Sequence, residues 1–169
     1  MLNYTIRPIE PRDARGLNDI RRMPGVYENI LGHPGEYLKR SEEHIAHLGP
    51  NDFQFTAVCS GDNGEELVIG SVGLVVSASP RLRHVGGIGI MVHRDFQNQG
   101  VGRALMNTVI DLADNWLKLV RLELTVFEDN ERAIHLYESL GFEKEGLRRM
   151  AAIRNGIYAN EYQMARIRV

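Results

Sequence analysis

Apolar residues along the chain recur with two different periods, which predict an alternation of strands and helices. Short apolar or alternating runs between turn residues are typical of strands, whereas apolar residues every three to four positions are typical of one helix face. The pattern predicts strands at 4–9, 53–59, 67–76, 88–92, 121–127, 142–150 and 158–169. It predicts helices at 13–20, 36–48, 102–116 and 130–140, with a Gly- and Pro-rich loop at 23–36.

The order of these elements predicts a mixed sheet. Strands 88–92 and 121–127 flank the helix that begins at Gly102, and a helical crossover joins parallel strands. Strands joined by short turns, such as 61–64 and 154–156, pair as antiparallel hairpins. We therefore expect an α/β fold with helices on both faces of the sheet. The sequence contains no repeat, low-complexity tract or linker, so residues 1–169 are predicted to form a single domain.

Composition narrows the class of protein. The 169 residues are 43% hydrophobic and 25% charged, with a net charge of −2, which argues against disorder and against a nucleic-acid surface. No apolar run approaches the roughly 20 residues that span a bilayer, and residues 1–4 do not begin a signal peptide. The single cysteine, Cys59, cannot form an internal disulfide. We expect a cytoplasmic protein without membrane contact. His44 and His47 share a helix face but lack a third ligand, so no metal site is predicted.

The stretch 88–104 combines features of an anion-binding site. A short apolar strand, 88–92, leads into a polar turn, and Gly100 and Gly102 then open an amphipathic helix. The first N–H groups of a helix have no intrahelical partners, the helix dipole favours negative charge there, and glycines let a ligand approach the backbone. A phosphate-bearing ligand is therefore expected at 97–104.

Two blocks of residues resemble the GNAT family of N-acetyltransferases. Gln97-Asn98-Gln99-Gly100-Val101-Gly102 matches the acetyl-CoA pyrophosphate signature of that family. The second block is Asn130, Ala133, Leu136-Tyr137-Glu138 and Leu140-Gly141-Phe142, at the usual separation. The resemblance covers essentially the whole chain and implies a central mixed sheet of six to seven strands flanked by about four helices. The stretches 114–117, 121–127 and 154–166 look most like bacterial acyltransferases that act on free amino acids.

The resemblance implies a set of donor-site residues. Backbone N–H groups from Gln99 to Ala104 would hold the pyrophosphate, and Gln97 and Arg103 would contact phosphate. The strand residues Ile90, Met91 and Val92 would pair with pantetheine, and one N–H there would polarise the thioester carbonyl. Asn130 would lie near pantetheine while also capping its helix. Tyr137 matches the general acid, although its helix face alone would also fit a core residue. The predicted cofactor-binding residues are Ile90, Met91, Val92, Gln97, Asn98, Gln99, Gly100, Val101, Gly102, Arg103, Ala104, Asn130 and Tyr137.

The general base and the acceptor site are less well marked. Many relatives carry Glu on the strand before the phosphate turn, where this chain has 86–89, or on the next strand, where it has Thr125. Glu123 lies on the same face as Thr125 and could act through a water, with a paired surface carboxylate as the competing interpretation. In similar proteins the acceptor loop would include Tyr27, Asn29 and His33, which are otherwise plain loop residues.

Together these features predict an acetyl-CoA-dependent enzyme that acetylates a small amine directly, with a free L-amino acid as the expected acceptor. Neutralising a lysine-like amine at pH 7 costs roughly 4–5 kcal/mol, whereas an α-amine of a peptide costs about 1, so an α-amine asks less of a site without an obvious base. Protein N-termini and polyamines are alternative acceptors. Polyamines are supported only by Glu28, Glu36, Glu42 and Glu43, which also fit solvated charges. A non-catalytic acyl-CoA-binding module is the alternative of another class, against which Tyr137 and Asn130 argue. Many family members dimerise, so a homodimer stays open.

Overall fold

A seven-stranded mixed sheet forms the centre of the molecule, as the pattern predicted. The structure is a computed structural model that describes residues 2–61 and 64–169. Its strands are β1 (Thr5–Pro8), β2 (Asp52–Ser60), β3 (Glu66–Val76), β4 (Val85–Val92), β5 (Arg121–Phe127), β6 (Glu143–Arg154) and β7 (Ile157–Ile167). Its helices are α1 (Ala14–Arg21), α2 (Leu38–Ala46), α3 (Val101–Asp111) and α4 (Glu131–Ser139). Of the predicted turn 61–64, Asp62 and Asn63 lie outside the described residues.

The strand order is β1-β2-β3-β4-β5-β7-β6. The crossover through α3 makes β4 and β5 parallel, which confirms that prediction. The other neighbouring pairs are antiparallel. The β6–β7 hairpin turns at Asn155 and Gly156, which both have positive φ, as a tight two-residue turn requires.

Helices cover both faces of the sheet, again as predicted. On one face α3 and α4 bury Leu105, Val109 and Ile134 against the larger apolar core of the sheet. On the other face Leu17 and Ile20 of α1 pack with apolar residues of β2 and β3 in a smaller cluster. The sheet therefore separates two apolar layers, one under α3 and α4 and one under α1.

The only parallel ladder among the described strands is short. β4 pairs with β5 over three registered residues, from Val85 opposite Arg121 to Gly87 opposite Glu123. Beyond Gly87, β4 continues its pairing with β3 but has no registered partner in β5. The two strands therefore diverge at the middle of the sheet, which leaves an opening between them.

Several local predictions were wrong. β4 begins at Val85, three residues before the predicted start, because Gly86 and Gly87 continue the strand against β3. The α3 segment ends in a π-helical turn, Leu112–Trp116, so the buried face passes through Ala113 and leaves Trp116 76% exposed. The helical spacing of Leu105, Val109, Leu112 and Trp116 had predicted an apolar face that included Trp116.

Two carboxylates near α1 and α2 are paired with arginines. The sequence had offered Asp13 as the N-cap of α1 and Glu36 as a solvated charge. Asp13 precedes α1, but its side chain makes no cap hydrogen bond to that helix and instead accepts two hydrogen bonds from Arg7 at 2.9 Å. Glu36, expected to be a solvated charge, has a fully buried side chain that accepts hydrogen bonds from Arg21 at 2.6 and 3.0 Å. Residues 36 and 37 lie outside α2, because the Glu36 carboxylate bonds to Arg21 of α1 and so connects the preceding loop to that helix. In the described ranges, every helix is too short or too polar to cross a bilayer.

Candidate active site

The opening between β4 and β5 is a cleft of about 710 Å³, within the usual range for a small-molecule site. One end is lined by the turn before α3 and by α4, including Asn98, Gly100 and Tyr137. The other end is lined by α1, α2, β2 and β3, including Arg21, His44 and Ser71. The cleft thus reaches from one face of the sheet to the other, and its middle is the unpaired edge of β4.

The N-terminus of α3 presents free backbone donors to the cleft. Gly100 has φ 86°, a left-handed conformation that glycine adopts without strain, and it turns the chain into the helix. In the described part of the chain the N–H groups of 100–103 donate no hydrogen bond. The Ala104 N–H donates to the Gly100 carbonyl at 3.0 Å, so the free donors end at Arg103 and the predicted role of the Ala104 N–H is corrected. The N-terminus of α3 therefore has the free N–H donors and the helix dipole that favour anion binding.

The side chains of the signature mostly shape this turn. Gln97 donates to the Val92 carbonyl at 3.1 Å, and Gln99 donates to the Asp95 carbonyl at 2.8 Å. Val101 is buried in the larger core, so only its backbone is available to a ligand. Arg103 donates to the Ser139 hydroxyl at 2.8 Å and lines the cleft. Gln97, Asn98, Gly100, Gly102 and Arg103 line the cleft, whereas Gln99, Val101 and Ala104 do not.

The strand edge and α4 complete the donor end. Ile90, Met91 and Val92 line the cleft along the β4 edge that lacks a partner in β5. Asn130 caps α4 by accepting the Ala133 N–H at 3.3 Å, and it also lines the cleft, so its predicted capping role is confirmed.

Tyr137 lies on α4 with only 7% of its surface exposed, and it lines the cleft. Its ring packs near Phe142, 6.1 Å between ring centroids, in the larger core. No hydrogen bond to its hydroxyl occurs within the described residues. Burial disfavours the phenolate and raises the pKa of Tyr137 to about 12. The group is therefore a neutral hydroxyl at the surface of the cleft.

Glu123 is held outside the cleft lining. Arg121 donates to its carboxylate at 2.5 Å and also pairs with Glu145 of β6. The cleft is lined instead by Thr125, two residues further along β5. The arrangement is that of the paired surface carboxylate, which was the competing interpretation of Glu123.

The acceptor end contains residues that the sequence did not single out. Of the three predicted substrate contacts only Asn29 lines the cleft; Tyr27 does not, and His33 accepts the Gly35 N–H at 3.2 Å. The unpredicted residues of the lining include His44, Gln54, Ser71, Gly73, Gly89, Arg132 and Glu161. Gln54 and Ser71 are polar positions inside apolar strands, a signal that could have marked them.

No group of three or more His, Cys, Asp or Glu side chains in residues 2–61 and 64–169 is arranged to hold a metal ion.

Comparison with known families identifies the family to which the chain belongs. The model of the Acetyltransferase (GNAT) family matches residues 22–142, well over half of the chain. The chain belongs to the GNAT acetyltransferase family. The match includes both the turn before α3 and Tyr137.

Individual GNAT relatives agree with this assignment. The L-amino acid N-acetyltransferase AaaT of Escherichia coli K12 is 39% identical over 99% of this chain and 100% of its own length. The spermidine N(1)-acetyltransferase of the same organism is 27% identical over 94% of this chain and 83% of its own length. The crystal structure of a GNAT acetyltransferase from Streptococcus pneumoniae superposes with a TM-score of 0.80 at 26% identity, over 98% of this chain and 100% of that one.

The GNAT assignment confirms the predicted family, the mixed α/β fold and the prediction of an N-acetyltransferase. The alternative of a non-catalytic binding module loses its support.

Proposed function

We propose that this GNAT enzyme transfers the acetyl group of acetyl-CoA directly to the α-amine of a free L-amino acid. The observation that carries the proposal is the cleft between β4 and β5, which has free helix N–H donors at one end and polar side chains at the other. The 39% identity with an L-amino acid N-acetyltransferase over the full chain supports the acceptor class.

The α3 N-terminus fits the pyrophosphate of the donor. A Cβ built on Gly100 would meet nothing within 4 Å, and one on Gly102 would make only ordinary contacts, at 3.5 and 3.7 Å. The backbone of both residues is therefore open to a bulky anion. The N–H groups of 100–103 would bind the phosphate oxygens, with Arg103 adding positive charge at the rim.

Pantetheine would lie along the free edge of β4. The ladder bonds alternate along β4, so Met91 pairs with Ser71 of β3, whereas the N–H and C=O groups of Ile90 and Val92 face the free edge and can pair with its amides as another strand would. The predicted pairing of Met91 with pantetheine is corrected in this respect. One of these N–H groups would polarise the thioester carbonyl and stabilise the negative charge that develops on its oxygen. Tyr137 would then protonate the departing thiolate, and its burial keeps the phenol neutral until that step.

An α-amine fits the acceptor end better than a polyamine. Polyamine recognition requires carboxylates, and two of the four acidic candidates are engaged: the Glu36 carboxylate is paired with Arg21. The Glu28 carboxylate accepts the Gly25 N–H at 2.6 Å. The relationship to spermidine N(1)-acetyltransferase keeps polyamines as the second candidate. A cytoplasmic location belongs to the proposal, because a single cysteine offers no structural disulfide.

Thiol release from acetyl-CoA tests the proposal. The purified chain is assayed with the L-amino acids, with short peptides that have free N-termini, and with spermidine, and mass spectrometry identifies each product. We expect the highest kcat/KM with an L-amino acid and a product one acetyl group heavier at the α-amine. A higher kcat/KM for spermidine or for a peptide would refute the proposed acceptor. Bound acetyl-CoA without transfer to any amine would refute the proposed reaction.

A further inference from the structure

We propose that His44 of α2 is the general base that removes the proton from the acceptor amine. This inference rests on the proposed function and supplies the group for which the sequence offered only Glu123. His44 is an exposed residue that lines the acceptor end of the cleft. The GNAT assignment does not identify it, because it lies outside both signature blocks.

A chain of hydrogen bonds fixes the tautomer of His44. The Phe55 carbonyl can only accept, so the Ser71 hydroxyl donates to it at 2.9 Å. Ser71 Oγ then accepts from Gln54 Nε2 at 3.1 Å, which turns Gln54 Oε1 towards the imidazole. Oε1 lies 2.7 Å from His44 Nε2 and can only accept, so Nε2 carries the hydrogen. The neutral ring therefore keeps its lone pair on Nδ1, the nitrogen that can take a proton.

The surface of the sheet is open between the hydrogen-bonded side chains of His44, Gln54 and Ser71 and the free edge of β4. Gln54 lies directly opposite Gly73 on β3, and Gly73 lies directly opposite Gly89 on β4, so all three face the same side of the sheet. A Cβ on Gly73 or Gly89 would meet nothing within 4 Å. Gly89 is adjacent to Ile90, where the β4 edge is free. Adjacent strands are about 5 Å apart, so the row from Gln54 to Gly89 spans about 10 Å. Neither Gly73 nor Gly89 places a side chain between the imidazole and an amine at β4, so a chain of waters in the cleft would carry the proton to His44.

The other charged groups on this side of the cleft are engaged elsewhere. Arg21 of α1 is held by Glu36 at 2.6 Å. Asp52 of β2 accepts the Gly49 N–H at 2.7 Å. The Glu161 carboxylate of β7 is paired with Arg148 at 2.5 Å. The charged groups of α2 itself are Lys39, Arg40, Glu42 and Glu43, of which Lys39 pairs with Glu43 at 3.5 Å and Arg40 approaches Glu36 at 3.8 Å.

The acceptor ammonium gives one proton to Nδ1 of His44, which releases it to solvent. The neutral amine attacks the thioester carbon, the C–N bond forms, and the C–S bond breaks. The thiolate takes the proton of Tyr137, and the second proton of the nitrogen returns through solvent to the phenolate. The products are the N-acetylated acceptor, free CoA thiol and one proton.

His44→Ala tests the proposal, with His47→Ala as the matched control on the same helical segment. His47 Nδ1 lies 2.7 Å from the Glu43 carbonyl, and the residue does not line the cleft. We measure kcat and kcat/KM for the best acceptor from about pH 5.5 to about 9. We expect kcat of His44→Ala to fall about 10²-fold, since general bases contribute 10²–10⁴-fold. The acid limb of the pH profile should disappear, and added imidazole should restore part of the rate. His47→Ala should match the wild type.

Binding of acetyl-CoA, measured by calorimetry, should be unchanged in both variants. Wild-type turnover and pH profile in His44→Ala would overturn the inference. A slow variant that keeps the acid limb and gains nothing from imidazole would also overturn it, because that result indicates a structural role. A wild-type enzyme that acetylates no amine would overturn the proposed function and this inference with it. An active wild type with an unaffected His44→Ala variant overturns this inference alone.

Discussion

Replacing Gly16 with alanine tests how closely α1 is held on the sheet. A Cβ at this position would lie 2.6 Å from both Cβ and Cγ2 of Val68 on β3. The Val68 Cβ is fixed to its backbone, so the helix itself must move away. Alanine gains about 1 kcal/mol in helix propensity over glycine, whereas overpacking a core contact costs about 1–3 kcal/mol. With a contact this short the upper part of that range applies, and we expect Gly16→Ala to lower the free energy of unfolding by about 1–2 kcal/mol.

A loss of 1 kcal/mol lowers Tm by about 2–4 °C in a protein of this size, so a decrease of roughly 2–8 °C is expected. Thermal and urea unfolding measure it, with Gly87→Ala as the control. A Cβ on Gly87 would meet nothing within 4 Å, so that variant should stay within about 0.5 kcal/mol of the wild type. A Gly16→Ala variant as stable as the wild type would show that helix propensity outweighs the contact, and would refute the reasoning.

The same substitution should also separate the two ends of the cleft. α1 continues into Arg21 and Gly25, which line the acceptor end, whereas the donor end is built from α3 and α4 on the opposite face. We expect Gly16→Ala to raise the KM for the amine and to leave acetyl-CoA affinity unchanged. An equal loss at both substrates would indicate general loosening of the fold instead.

Three further predictions concern buried polar groups. Tyr137→Phe should lower kcat about 10²-fold without changing acetyl-CoA affinity measured by calorimetry, and unchanged turnover would remove Tyr137 as the acid. Because the pKa of Tyr137 is raised to about 12, its contribution to stability is complete below pH ~10 and is lost as pH rises from about 10 to about 12. Urea unfolding at about pH 9 and pH 11.5 should show a loss of about 2 kcal/mol that Tyr137→Phe lacks, and equal losses in both proteins would contradict it. Glu36→Gln should cost about 3 kcal/mol in urea unfolding, since it leaves Arg21 in a partly buried site without its partner. The hydrogen bond from Arg21 lowers the pKa of Glu36, so the wild-type contribution is present above pH ~4.5 and is lost on acidification, a loss that the variant should not show.

Local sequence was sufficient for the order of strands and helices. Alternation placed β2, β3 and β5 correctly, and the crossover from β4 through α3 required β5 to be parallel. The phosphate turn could be predicted for the same reason, because its glycine conformation and free donors depend on consecutive residues. Tyr137 was marked by the pattern around it rather than by its own environment.

Features that depend on distant residues could not be predicted. Glu123 is paired with Arg121, but that arginine also binds Glu145, 24 residues further along the chain, and the network exists only once β5, β6 and β7 are assembled. The alignment of Gln54 with Gly73 and Gly89 depends on the register of three strands. The π-helical turn that exposes Trp116 is invisible to a pattern with a fixed period of 3.6 residues.

Because the β4–β5 ladder is short, the two halves of the sheet are held together by few hydrogen bonds. Two antiparallel halves, β1–β4 and β5–β7–β6, meet in the sheet through three residue pairs and through the His84 carbonyl, which accepts the Val120 and Arg121 N–H groups. A ligand whose amides pair with the bare edge of β4 would supply missing rungs between the halves and so act as part of the framework. Saturation with such a ligand at 100 times its Kd adds about 2.7 kcal/mol to the free energy of unfolding. Amides of β4 and β5 beside the opening should then exchange with deuterated solvent more slowly in the loaded protein than in the free one.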